Sequence, residues 1–151
     1  MAGIDIRATQ PVLLVEDDAN DVLLLRRAFV RAQIPNPLQV VTSAEQAVEY
    51  LSGEGEYANR LKYPLPTLVL LDLKLSGKHG FEVLRWVRMH PRLKVLRVIV
   101  LTSSGQPGDV RLAHDLGANS YLIKPVDFEQ LVKMSVALGS YWLKLNEAPE
   151  V

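Results

Sequence analysis

Short apolar runs alternate with stretches of helical period along this chain, and that alternation predicts an α/β domain: a single doubly wound (βα)5 unit with a five-stranded parallel sheet. Two further observations support it. The apolar runs are continuous, as in strands buried on both faces. The chain has 151 residues of which 48% are hydrophobic, the size and composition of one ordinary domain.

PVLLVE, Pro11 to Glu16, is the first strand. A helical pattern runs from Asp21 to about Gln33, with Val22, Leu25, Phe29 and Ala32 on one stripe. Asn20 is available as its N-cap, and Pro35 and Pro37 close it. Leu38 to Thr42 is the second strand, and Ser43 caps a helix to about Leu51 with Gln46 in capping-box position. Ser52 to Pro64 is polar, contains glycine and is long for a connection. Leu65 to Asp72 is the third strand, and its helix spans about Gly80 to His90 before Pro91. Arg97 to Ser104 is the fourth strand, and Pro107 to Leu116 a short helix with Gly117 at C′. Asn119 to Pro125 is the fifth strand, and Asp127 opens a last helix reaching about Leu145. The domain is expected over residues 10–146, with tails at 1–9 and 147–151.

Composition excludes several function classes. Lys plus Arg and Asp plus Glu number 17 each, so no charge excess favours nucleic acid or an anionic membrane as partner. There is no cysteine, which removes disulfides, thiolate metal sites and thiol nucleophiles. No run approaches the roughly 18 apolar residues of a spanning helix. MAGIDIRATQ has neither a basic region nor an apolar core, so a cytoplasmic protein without a secretory signal is expected.

In open α/β sheets the ligand site lies beyond the carboxyl ends of the strands. Here Glu16, Asp17 and Asp18 follow the first strand and Asp72 the third; Thr102, Ser103 and Ser104 end the fourth, and Lys124 the fifth. Each has an ordinary reading alone: a turn or cap acid, a β-branched strand residue, a solvated loop lysine. Together at one edge they suit a hard divalent cation such as Mg²⁺, which takes carboxylates, backbone oxygen and water. SGKHG, Ser76 to Gly80, lacks the upstream glycine and following hydroxyl of a phosphate loop. His79, His90 and His114 have no ligand spacing and read as surface residues.

LLVEDD, LVLLDLKLSGKHGFEVL, VIVLTSS and GANSYLIKP, in this order, resemble the receiver domain of bacterial two-component response regulators over essentially the whole chain. The resemblance implies the flavodoxin-like form of the fold, with Asp72 as acceptor of a phosphoryl group from a phosphohistidine. It implies Mg²⁺ bound by Asp17 directly, by Glu16 through water, by Asp72 and by the carbonyl of Lys74. Asp18 is then a turn or capping residue. Lys124 matches the lysine that pairs with Asp72 and then with the phosphoryl group, Thr102 the switch hydroxyl, and Tyr121 the aromatic ring that follows it. The Lys124–Pro125 bond is expected to be cis. GEGEYANR and SYWLKLNE look like the single-domain regulators of bacterial phytochromes, so the expected partner is a sensor histidine kinase of that kind. Ser76 and His79 depart from the family pattern, while Lys74 and Ser104 stand where the family tunes phosphoryl lifetime.

With no DNA-binding segment after the last helix, output is expected through a protein surface. That helix carries a sheet-facing set, Phe128, Leu131, Val132, Ser135 and Val136, and a second stripe, Met134, Leu138, Tyr141 and Leu145. The stripe is either covered by irregular packing or forms a homodimer contact. Two other function classes share parts of this pattern. An aspartyl-phosphate phosphohydrolase would need an acid where Lys74 stands. A binding module that is never phosphorylated would be expected to lack one of the acids or Lys124.

Overall fold

A computed structural model of the chain describes residues 9–75 and 80–151. Ser76 and His79, and residues 1–8 of the expected tail, lie outside the described residues. The elements are β1 (Val12–Val15), α1 (Ala19–Arg31), β2 (Leu38–Val41), α2 (Ala44–Ser52), β3 (Leu68–Leu71), α3 (Gly80–Met89), β4 (Val98–Thr102), α4 (Pro107–Asp115), β5 (Ser120–Ile123) and α5 (Phe128–Leu138). All strand pairs are parallel, in the order β2-β1-β3-β4-β5. The chain leaves β1 for β2 on one side and returns to β3 on the other, so the winding reverses between β1 and β3. That reversal opens the crevice at their carboxyl ends.

Alternate strand residues enter different core layers, which is why the strands read as unbroken apolar runs. Leu13, Val15, Val69 and Leu71 pack with Ala47, Leu51, Val83, Leu84 and Val87 of α2 and α3. Val12, Leu14, Leu68, Leu70, Ile99 and Leu101 pack with Leu25, Ala28 and Phe29 of α1 and Leu131 and Leu138 of α5. A smaller cluster joins Leu73, Phe81, Val100 and Ala113 near α4.

Four sequence expectations are corrected. Asp18, not Asn20, caps α1: its carboxylate accepts from the backbone N–H of Asn20 at 2.9 Å and Asp21 at 3.1 Å. The helix therefore begins two residues earlier, and Asp21 falls in its first turn. α5 ends at Leu138, and a π-helical stretch, Gly139–Leu145, completes the helical run. A Cβ at Gly139 would meet Ile34 Cγ1 at 3.1 Å, so glycine permits close passage over the segment after α1. Leu138 belongs to the core rather than to an outer stripe, whereas Val136, assigned to the sheet side, is 48% exposed. The Lys124–Pro125 bond is trans, the isomer X–Pro bonds favour by ~0.5–1 kcal/mol.

The long connection after α2 is packed rather than loose. Arg60 donates to the carbonyls of Tyr50 at 2.7 Å and Leu51 at 2.9 Å, closing the carboxyl end of α2. Tyr50, Tyr57 and Tyr63 pack ring against ring behind it, with centroids 5.0–6.0 Å apart, Tyr63 meeting both others edge-on.

Candidate functional site

The four main site residues sit at strand ends, each fixed by the ladder or its continuation. Glu16 N–H donates to Val41 O at 3.0 Å, and Asp72 N–H to Val15 O at 3.0 Å. Lys124 N–H donates to the carbonyl of Thr102 at 2.8 Å, and Thr102 is the last residue of β4. Main-chain geometry thus converges these side chains on the crevice beside β1 and β3.

Asp72 is only 5% exposed, and both its carboxylate oxygens are held. Oδ1 accepts from Thr102 Oγ1 at 2.9 Å and from the Lys74 N–H at 3.1 Å. Oδ2 accepts from Lys124 Nζ at 2.9 Å. The same ammonium donates to Asp21 Oδ2 at 2.8 Å and to Glu16 Oε1. Glu16 is 2% exposed, and its other oxygen accepts from the Asp18 N–H at 3.2 Å.

Burial governs the charges here, opposed by pairing. Burial pushes the Glu16 carboxyl up to about 7; the Lys124 hydrogen bond opposes this incompletely and the Asp72 charge reinforces it. Asp72 is buried too, but hydrogen bonds from Lys124, Lys74 N–H and Thr102 outweigh desolvation and hold it below its usual value. Burial would depress Lys124, yet its bonds to Asp21, Glu16 and Asp72 raise it above the ordinary lysine value.

One oxygen each of Glu16, Asp17 and Asp72 lies within 4.8 Å of the others, a spacing one ion can bridge. The donors are all oxygens, the ligand type of Mg²⁺, Ca²⁺ or Mn²⁺. Counting Asp21, four carboxylates share the pocket with one ammonium, so it carries excess negative charge that a divalent ion fits.

Thr102 is fully buried, its hydroxyl on Asp72. Tyr121 packs its ring against the cluster of Leu73, Phe81, Val100 and Ala113, and its hydroxyl donates to Ser104 O at 2.6 Å. Ser104 Oγ in turn donates to Asp109 Oδ2 of α4 at 2.6 Å. Glu16, Asp17, Asp72, Lys74, Thr102 and Lys124 therefore gather in one pocket, with Tyr121 one step away. Met134, Leu138, Tyr141 and Leu145 form no single exposed patch: Leu138 is buried, Met134 half-buried, Tyr141 and Leu145 exposed. Sequence reasoning missed Asp21 and Asp109. Asp21 lies in the first turn of α1, three residues after the Asp18 cap, and it reaches Lys124 Nζ from there.

The sequence profile of the response regulator receiver domain matches residues 12–135. The chain belongs to this family. This receiver domain is 36% identical to the response regulator Rcp1 of Synechocystis sp., over 91% of this chain and 92% of that protein. It is 37% identical to the probable methanogenesis regulatory protein FilR2 of Methanothrix harundinacea, over 98% and 94%. Its fold superposes on the phosphorylated cyanobacterial phytochrome response regulator RcpA with TM-score 0.86 at 34% identity, covering 94% of this chain and 99% of that one. The Mn²⁺-bound form of Rcp1 superposes with TM-score 0.83 at 36% identity, covering 93% and 99%. The receiver domain is a two-component signalling protein, similar to phytochrome-associated response regulators. No helix among the described residues is long and apolar enough to cross a membrane.

Proposed function

We propose that Asp72 accepts a phosphoryl group from the phosphohistidine of a sensor kinase in an Mg²⁺-dependent reaction. The observation that carries this is Asp72 itself: a buried carboxylate kept ionised, with Thr102 and Lys74 N–H on one oxygen and Lys124 on the other. An Asp72 oxygen gives an electron pair to phosphorus to form the O–P bond, while the P–N bond breaks and the imidazole leaves with the P–N bonding pair and takes up a proton. No base is needed, because the nucleophile is already an anion. The difficulty is repulsion between anions, so the site's work is positioning and charge neutralisation. Lys124 and Thr102 meet that need from the side of β4 and β5. When bound by Glu16, Asp17, Asp72 and the carbonyl of Lys74, Mg²⁺ supplies the remaining neutralisation.

Phosphorylation then offers Thr102 a new acceptor. Movement of its hydroxyl toward the phosphoryl group changes the space available to the Tyr121 ring, and Ser104 relays the change to α4 through Asp109. The partner kinase is of the phytochrome type, a reading supported by the likeness to RcpA. The altered surface is read by another protein or by a second copy, through the exposed Tyr141 and Leu145 beyond α5.

Acetyl phosphate with Mg²⁺, followed by intact mass, tests the chemistry. One phosphoryl group should be gained by the wild type and none by Asp72→Asn or in chelator. Sizing the two mass forms tests self-association. A folded wild type that gains no mass would replace this reading with a binding module that is never phosphorylated.

A further inference from the structure

We propose that Asp21 restrains phosphoryl transfer by holding the third hydrogen of the Lys124 ammonium and by placing a fourth carboxylate at the pocket rim. The inference rests on the reading of Asp72 as phosphoacceptor. It gives a role to a residue outside the acidic triad, Thr102 and Lys124.

A lysine ammonium has three hydrogens to donate and no more. In this pocket all three are engaged: Asp21 Oδ2 at 2.8 Å, Asp72 Oδ2 at 2.9 Å, and Glu16 Oε1. A phosphoryl group on Asp72 presents new anionic oxygens, and Lys124 can serve them only by releasing a present partner. The three partners are not equivalent. Glu16 is 2% exposed, so water cannot take the place of the ammonium there. Asp72 is the reacting group and changes with the reaction. The Asp21 side chain is 37% exposed, so water can replace the ammonium there. The contact to Asp21 is therefore the one that yields.

The surroundings permit such a shift. A cavity of about 40 Å³, close to the volume of one water, lies beside Asp21 and Lys124 and is lined by Leu14, Leu24, Leu101 and Leu131. The aliphatic stem of Lys124 has room to move on this side. Asp21 is not the cap of α1, which Asp18 provides, so neutralising it leaves that cap in place.

Two effects of Asp21 act in the same direction. It occupies a donor that the transferring group needs, and its charge repels an anionic phosphodonor. Orientation of Lys124 opposes them only weakly, since Glu16 and Asp72 still hold the ammonium when Asp21 is neutralised. With acetyl phosphate as donor, an Asp72 oxygen bonds to phosphorus while the acyl oxygen–phosphorus bond breaks. Acetate leaves with the electron pair, and no proton needs to move. Charge management is then what a substitution at Asp21 changes.

The test compares labelling rates of wild type, Asp21→Asn and Asp21→Glu with acetyl phosphate at saturating Mg²⁺. Asp21→Asn should be labelled roughly three- to tenfold faster at low ionic strength. Asp21→Glu, which keeps the charge, should show no gain. The advantage should shrink as salt is raised, because it is electrostatic; a packing effect would not respond in this way. An Asn variant no faster than wild type, or a gain insensitive to salt, overturns the restraint. If wild type takes no label, the proposed function falls, and a second measurement still judges Asp21. Urea unfolding of Asp21→Asn, Lys124→Met and the double variant should show non-additive effects, and additive ones overturn the inference.

Discussion

Glu16 and Tyr50 are both buried polar side chains, and their surroundings put them to different uses. Glu16 has one strong donor, Lys124, shared with two other acids, so burial prevails and its carboxyl binds protons up to about 7. It is a carboxylate in want of positive charge. Tyr50 is satisfied: its hydroxyl donates to Pro64 O at 2.8 Å inside the ring cluster with Tyr57 and Tyr63. Burial pushes its phenol up to about 12, with Arg60 opposing and Tyr57 and Tyr63 adding to the rise. The ionised form is thus less favoured in the folded chain than in the unfolded one, where tyrosine titrates near 10. The stabilising contribution is full below about pH 10 and is lost as pH rises through about 12. Ultraviolet difference titration should therefore show one tyrosine ionising near the alkaline limit, a step absent in Tyr50→Phe. At neutral pH that variant should cost about 1 kcal/mol in urea unfolding, because Pro64 O loses its donor.

Strand ends carry the chemistry, and helices were harder to place than strands. Glu16, Asp72, Thr102 and Lys124 could be found from sequence because each stands at the exit of an unbroken apolar run, where a parallel sheet presents side chains to its crevice. Asp21 could not, because its role depends on where α1 begins. Three polar residues within four positions, Asp18, Asn20 and Asp21, could each serve near a helix start, and the structure gives the cap to Asp18. The two faces of α5 were blurred for a related reason. The run from Phe128 to Leu145 keeps no single period, because it passes from α to π winding at Gly139, and Leu138 turns inward while Val136 faces out. One junction of elements lends itself to a direct test. Gly80, the first residue of α3, lies so close to the exit of β3 that a Cβ would sit 2.2 Å from Asp72 O and 2.8 Å from Leu73 Cα. Both are backbone atoms, so neither can rotate aside. Gly80→Ala must displace α3 or the Asp72 segment, and overpacking of this kind costs typically 1–3 kcal/mol or about that range. A lowered urea midpoint and slower labelling of Asp72 are expected together. Unchanged labelling in a destabilised protein would mean that α3 alone moved.

At the scale of the molecule the formal charge is zero, yet its distribution is uneven, with four carboxylates and one ammonium at a single sheet edge. Folding itself creates this cluster, bringing together β1, α1, β3 and β5, and the unfolded chain has no equivalent site. A ligand that binds only the folded state stabilises it by RT ln(1 + [L]/Kd), which at tenfold excess over Kd is ~1.4 kcal/mol. For a domain of this size each kcal/mol moves Tm by about 2–4 °C, so Mg²⁺ at that excess should raise Tm by about 3–6 °C. General screening would also relieve the repulsion, so KCl at matched ionic strength is the necessary comparison. Mg²⁺ should exceed KCl clearly in the wild type. Glu16→Gln separates the two contributions further, because it removes a buried charge while leaving an amide oxygen to accept from Lys124. The metal-free variant should be as stable as wild type or more so, and should lose much of the Mg²⁺-dependent rise. A variant less stable without metal but equally responsive to Mg²⁺ would show that Glu16 serves the fold through Lys124 and that the ion is held by Asp17 and Asp72 without it.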